Sequence, residues 1–263
     1  MVNEYLELHP ELGLTHWPEF ESMPTASKFL RLGFHSCLKY QDGTGGCNGC
    51  LSNKNIGLDK RHNCTIHGAS DNHSPNINQT DNAGLELTAD ILEEIFVNKD
   101  FPEHAEALPV SLAESGKSRA DLWNFAAVVG VEWGLERNNH ACDGQDWTSN
   151  TARLGCAHIR QFEPDCKIEL QQPIKFFTGR SDCQPEAGLK GWETERTERH
   201  PNPHGNGVTT ADFFRTDFGL TGREGAALLL GAHSFGTFNA VISRFRYDWT
   251  RAQGHLLNNQ VFR

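Results

Sequence analysis

Apolar residues along the chain recur mainly at helical spacing, and the alternation that marks a half-buried strand is scarce. Five segments carry the pattern. Residues 27–38 put Leu30, Phe34 and Leu38 on one stripe, and residues 82–98 repeat it with Leu85, Ala89, Leu92 and Phe96. Residues 118–135 open on Ser118-Arg119-Ala120-Asp121, an S-x-x-D cap signal ahead of an apolar run. Residues 209–220 carry Phe213, Phe214 and Phe218. Residues 221–236 open on the capping box Thr221-Gly222-Arg223-Glu224 and continue into the apolar run 226–232. The polar, Gly- and Pro-bearing stretches between them, 41–79, 138–172 and 184–208, are too long for a compact bundle. The pattern predicts a mainly α, loop-rich protein.

A length of 263 residues suits one large domain or two tightly packed lobes. Asp and Glu number 34 against 24 Lys and Arg, a net charge of -10 that repels phosphate backbones and argues against a nucleic-acid partner. The longest apolar runs, 125–131 and 226–232, are far below a membrane span, so no membrane partner is expected. Eight cysteines (Cys37, Cys47, Cys50, Cys64, Cys142, Cys156, Cys166 and Cys183) form an even set that reads as a disulfide framework in an oxidising compartment. The sequons at Asn63 and Asn78 point the same way. The start, Met1-Val2-Asn3-Glu4-Tyr5, has no basic or apolar leader character. On the cysteine number, an extracellular or secretory location with the natural N-terminus missing is expected over a cytoplasmic one. Cys47-Asn48-Gly49-Cys50 could be a zinc half-site or a redox pair, but without a second C-x-x-C or a surrounding β-α-β pattern it reads as ends of structural bridges.

Two short stretches carry chemistry. In Arg31-Leu32-Gly33-Phe34-His35, a guanidinium and an imidazole stand at i and i+4 on one helix face. The fixed cation lowers the imidazole's pKa and keeps it a neutral base, which suits a reaction that moves a proton while negative charge develops nearby. In Gly231-Ala232-His233-Ser234-Phe235-Gly236, small residues around a histidine let a flat group approach the backbone.

Together these stretches resemble the plant/fungal/bacterial-type haem peroxidase superfamily. Residues 29–37 are similar to its distal R-L-x-F-H-D-C motif, and residues 228–236 to its proximal S-G-A-H-T-x-G motif. Asp81-Asn82-Ala83-Gly84-Leu85 resembles S-N-A-G-L, Ser118-Arg119-Ala120-Asp121-Leu122 resembles S-C-A-D-L, and Gly179-Arg180-Ser181-Asp182 resembles G-R-R-D, all in the family's order. The resemblance implies a two-lobed helical fold with haem b between a distal lobe (about 1–160, with Cys-rich loops) and a proximal lobe (about 161–263), in one domain over 1–263. It implies His233 as the iron ligand, with Ser234, Phe34 and Trp249 at the cofactor. His35 would be the distal acid–base, Arg31 the stabiliser of the departing oxygen, and Asn82 the acceptor of the His35 Nδ1 proton. Asp121 and Arg180 would form a buried structural ion pair, and Cys37 would bridge to Cys47. The implied partners are hydrogen peroxide and a small one-electron reductant, with a role in oxidative stress.

The departures from the family pattern also carry information. Ser36 and Asn48 stand where secreted branches have carboxylates, removing most of the anionic charge a distal calcium ion needs and arguing against calcium. Phe34 follows the secreted branches, whereas Trp249, sixteen residues after His233, has the offset of the radical-bearing tryptophan of the cytochrome c peroxidase branch. A tryptophan that merely packs a helix satisfies the same spacing. Residues 136–172 are longer than the matching connection in most relatives. Residues 255–262 resemble the family's F-x-N-x-Y-Y segment, after which the carboxylate partner of the proximal histidine has no residue to map to. The proximal lobe is therefore expected to be incomplete.

Haem-dependent reduction of peroxide is the leading expectation. A disulfide-pinned extracellular domain that keeps the fold without turnover is the alternative, and intact Arg31, His35 and Asn82 argue against it, since buried polar groups are costly unless used. Thirteen histidines raise a zinc enzyme as a third possibility, but no H-E-x-x-H or H-x-x-E-H motif occurs.

Overall fold

The structure, a computed structural model, describes residues 25–53, 81–82, 84–100, 109–142, 168, 174–184, 186–202 and 205–236. Five helices appear among them, in chain order α1 (Ala26–Ser36), α2 (Glu86–Val97), α3 (Arg119–Cys142), α4 (Gly207–Phe218) and α5 (Gly222–His233). The two strands, β1 (Leu51–Ser52) and β2 (Glu193–Thr194), are two residues each and pair in parallel, Leu51 with Glu193 and Ser52 with Thr194. The chain is mainly helical, as the spacing predicts. No helix among the described residues is long and apolar enough to cross a membrane.

Each helix start has a chemical reason. Thr25 caps α1, its hydroxyl accepting from the Lys28 N–H. Thr221 and Glu224 form the capping box of α5 that the sequence predicts, and Asn206 with Thr209 forms an equivalent one on α4. At α3 the Ser118 hydroxyl accepts from the Asp121 N–H at 3.0 Å. The Asp182 carboxylate reaches in from a distant segment to take the Arg119 and Ala120 N–H groups at 2.9 and 2.8 Å. A carboxylate on exposed N–H groups at a helix N-terminus is favoured by both hydrogen bonding and the helix dipole.

One boundary differs from the expected one in a way that matters. The segment expected as 82–98 is helical only from Glu86, because Gly84 has φ +80° and the Leu85 N–H closes a turn onto the Asn82 carbonyl. Asn82 is therefore on a turn, fully buried, with its side chain aimed away from the helix it precedes. The helix expected as 221–236 ends at His233, so the residues after it leave the helical axis.

The core is the α1–α3 contact. Gly33 and Gly130 let the backbones close: a Cβ at Gly33 would lie 2.6 Å from the Ala127 Cβ, and one at Gly130 2.7 Å from the Ala26 carbonyl. Phe29 and Leu32 of α1, Leu85, Ala89 and Leu92 around α2, Trp123 of α3, and Leu51 and Trp192 of the strand pair fill the space between. Two disulfides tie loops to this core, Cys37–Cys47 and Cys50–Cys183. The first is the bridge implied by the resemblance. The C-x-x-C cysteines thus bond elsewhere rather than to each other, which makes them ends of structural bridges. Gly49 between them has φ +66°, and a Cβ there would strike the Ala120 N at 2.7 Å, so the turn fits against α3 only as glycine.

Just beyond α1 the chain pairs with a segment about 160 residues later. Gln41 donates its N–H to the Thr197 carbonyl at 3.0 Å, Arg199 donates to the Lys39 carbonyl at 2.7 Å, and Tyr40 bridges Glu198. This pairing, with β1–β2 beside it, brings residues 198–200 alongside the last turn of α1.

Candidate functional site

Arg31 and His35 occupy the last two turns of α1, four residues apart and on one face. The His35 Nδ1 lies 2.8 Å from the Asn82 Oδ1. The other end of the Asn82 amide faces the Glu198 carboxylate, with Nδ2 at 3.4 and 3.5 Å from its two oxygens. A carboxylate only accepts, so the NH₂ group belongs on that side and the carbonyl oxygen on the histidine side. His35 therefore donates from Nδ1, and its lone pair sits on Nε2. Glu198 is itself fixed by the Ser52 N–H, which donates to it at 2.5 Å. Ser52, Glu198, Asn82 and His35 thus form one polar chain, in which Glu198 and Asn82 are nearly without exposure.

Electrostatics make His35 a base that stays neutral. Burial holds its pKa well below the ordinary histidine value, the Arg31 charge and the His200 ring lower it further, and the Asn82 bond opposes them only in part. Arg31 donates to the Asp81 carbonyl. Burial lowers its pKa too, against the charges of Asp81 and Glu86. A cation and an unprotonated imidazole side by side can take a proton from one atom of a bound molecule while negative charge on a neighbouring atom is stabilised.

Phe34 joins the cluster to the rings of α4. It stacks on Phe218 at 5.7 Å between ring centroids and lies 6.3 Å from Phe214, with its edge toward His35 at 5.9 Å. It is the hinge between α1 and the aromatic face of α4.

Glu198 and His200 complete the site, and sequence reasoning missed both. They lie in the polar stretch 184–208, where Thr197-Glu198-Arg199-His200 matches no motif. The His200 ring meets His35 edge-on at 5.2 Å, and its Nε2 is 3.7 Å from the Asp81 carboxylate. Only the long-range pairing onto residues 39–41 reveals them, and local pattern carries no signal of it.

His233 and Ser234 end α5. The His233 Nδ1 lies 2.7 Å from the Leu229 carbonyl, which can only accept, so Nδ1 carries the proton and Nε2 the lone pair. Such a second bond fixes the tautomer a metal ligand needs, here with a backbone carbonyl in place of a carboxylate. The Ser234 hydroxyl is turned back onto the Gly231 carbonyl at 2.7 Å. The α5 helix meets α1 at the far end from His35: a Cβ at Gly236 would lie 2.8 Å from the side chain of Ser27. Ser27 and His35 are separated by about 12 Å of helix rise. The structure thus gathers Arg31, His35 and Asn82 into one cluster.

Asp121 and Arg180 pair at 2.9 Å, and the Gly179 N–H donates to the same carboxylate at 2.7 Å. Only the carboxylate side of the pair is buried, the Asp121 side chain being 9% exposed and that of Arg180 29%. Arg180 reaches the surface because its guanidinium also covers the Phe176 ring. Burial raises the Asp121 pKa, but the bonds from Gly179 and Arg180 outweigh it and hold the carboxyl below its ordinary value. Trp249, the sequons and residues 255–262 lie outside the described residues.

The donor set suits a haem iron: an imidazole whose Nδ1 is held by a backbone carbonyl, on a helix that is apolar for most of its length, yet has Gly225 as its only buried residue among those described. Leu228 is exposed, and a Cβ at Gly231 would meet nothing within 4 Å. A large flat apolar group has surface to cover there.

A comparison with protein-family models matches residues 15–261 to the family described as Peroxidase. No curated protein matches the chain.

Proposed function

This chain belongs to the peroxidase family, and from that premise we propose that it is a haem-dependent enzyme that reduces hydrogen peroxide while oxidising a small one-electron donor. The observation that carries the reading is the neutral His35, its Nδ1 committed to Asn82, beside the Arg31 guanidinium.

His233 would hold the haem through Nε2, and the haem, when bound, supplies the iron that exchanges electrons with peroxide. With the haem bound, His35 Nε2 would take a proton from one oxygen of hydrogen peroxide and give it to the other, so that the O–O bond could break and the second oxygen leave as water, the two electrons this requires being drawn from the haem and later restored by two one-electron donors. Arg31 stabilises the negative charge that gathers on that oxygen as the bond lengthens. Asn82 and Glu198 keep the lone pair on Nε2 throughout. Disulfides close to the distal helix fit an oxidising compartment, so we place the protein outside the cytoplasm. Asp121, Arg180 and the two bridges have a structural part.

The test is reconstitution of the full chain with haem, a visible spectrum, and addition of peroxide. A Soret band that shifts on peroxide, with the shift lost in His35→Leu and Arg31→Leu and haem uptake lost in His233→Ala, is the expected result. A Soret band indifferent to peroxide in the unaltered chain would instead identify a fold retained without turnover.

A further inference from the structure

His200 is not used by the reaction as written, yet it stands against the distal imidazole. It also lines a cavity of about 420 Å³ that opens on the surface, with Gln41, Arg199, Thr209, Phe213 and Asp217 among its walls. Three of these residues hold a buried polar atom with no hydrogen-bond partner: Arg199 Nε, His200 Nε2 and Asp217 Oδ2. Unsatisfied buried donors and acceptors beside an open cavity are where ordered water is found. His200 thus has solvent on one side and His35 on the other. Its Nε2 is 3.7 Å from Asp81, too far for a hydrogen bond and close enough for an ion pair once the ring is protonated.

We propose that His200 is a proton relay between the surface cavity and the distal base His35, a positioning residue that acts through His35 and touches no substrate. The proposal rests on the peroxidase reading. Reduction of one peroxide to two waters consumes two electrons and two protons. The one-electron donor supplies the electrons, and protons that it does not carry must enter from the medium. His35 has its Nδ1 bound to Asn82, so it exchanges protons only through Nε2. In the relay step an N–H bond on His200 breaks and one on His35 forms, through one bridging water, and no electron moves. The groups facing His200 are His35 and Arg31 from α1, Asp81 from the turn before α2, Arg199 beside it, and Asp212 and Asp217 from α4. Burial lowers the His200 pKa, and the Arg31 charge lowers it further, against the Asp81 carboxylate that raises it.

The experiment compares the haem-loaded full chain with His200→Ala and His200→Gln, following by stopped flow in dilute buffer the return of the peroxide-treated protein to its resting spectrum with an electron donor that carries no proton. Both variants are expected to slow about tenfold or more. The alanine variant should recover in proportion to added imidazole, a response that a purely structural loss does not show. An unchanged rate, or a slowed rate that imidazole never restores, overturns the relay. A second measurement needs no haem: the protonation rate of the His35 ring, read from ¹⁵N line broadening in the haem-free chain, should fall about tenfold in His200→Gln. Equal broadening overturns the proposal. If the unaltered holo chain ignores peroxide, the functional reading fails by itself, and the line-broadening result still decides the relay.

Discussion

Asn82→Leu tests the chain of hydrogen bonds at its centre. Leucine has the branching and heavy-atom count of asparagine but can neither accept from His35 Nδ1 nor donate to Glu198. The first bond is 2.8 Å and buried, whereas the second pair, at 3.4 and 3.5 Å, is long and contributes little. Leaving the His35 N–H without a partner costs about 1–3 kcal/mol, and that is also the preference for the Nδ1–H tautomer that the bond enforces. Since about 1.4 kcal/mol is a factor of ten, the ratio of the tautomer with its lone pair on Nε2 to the other should fall by roughly five- to 150-fold. The rate of reaction with peroxide should fall with it, because only that tautomer is a competent base. The ring's ¹⁵N shifts report the tautomer, stopped-flow Soret changes report the rate, and urea titration reports the stability loss of about 1–3 kcal/mol. The reasoning fails if the Nδ1–H tautomer persists in the variant, or if the rate stays within about twofold of the unaltered protein while the tautomer shifts.

Other consequences follow from the same contacts. His35 and His200 both have lowered pKa values in the fold, so below the unfolded value near 6.5 the unfolded chain binds more protons. Stability should be full above about pH 6.5 and decline as pH falls below it, and urea midpoints in His200→Gln should show a shallower slope. Asp121 acts later, since its depressed pKa gives stability present above about pH 4 that is lost only on further acidification. Asp121→Ala should cost about 2–3 kcal/mol in denaturant unfolding, less than a fully buried pair because Arg180 still reaches water. Leu32→Ala, with no exposure and held between α1 and α3, should cost about 2–5 kcal/mol and leave haem uptake intact at low temperature. Cys50→Ser opens a bridge that spans 133 residues and should lower stability by about 2–5 kcal/mol, read from thermal melts with and without reductant.

What the sequence displayed was whatever depended on near neighbours. The stripe of Leu85, Ala89, Leu92 and Phe96, the Thr221–Glu224 box and the Arg31–His35 pair are set by spacings of three or four residues, and each appears in the fold. Of the stripe Leu30, Phe34 and Leu38, by contrast, only Leu38 is buried, and Phe29 and Leu32 face the core instead. Asn82 was visible only through a motif resembling a family's, and its place on a turn rather than in a helix came from Gly84. Glu198 and His200 were illegible because nothing local distinguishes them, and Asp182 was visible in a motif but not as the cap of a distant helix. Their roles come from strand pairing and a disulfide that join segments far apart in the chain, and a polar loop rich in charge reads the same whether its carboxylates face water or a buried amide. The Cys50–Cys183 bridge was equally hidden, since eight cysteines leave every pairing open.

That distribution has a physical consequence for the site. A histidine on an isolated helix interconverts its tautomers freely, so Arg31 and His35 alone do not make a directed base. Direction comes from Asn82, whose amide has two possible orientations, and the choice between them comes from Glu198. The Ser52 N–H and the Asn82 amide both donate to the buried Glu198 side chain, and Ser52 is in place because β1 pairs with β2. Each step outward from His35 therefore trades a local choice for a longer-range contact, ending at the pairing of residues 39–41 with 197–199. Loosening that pairing acts on the imidazole's lone pair before it touches any group that meets peroxide.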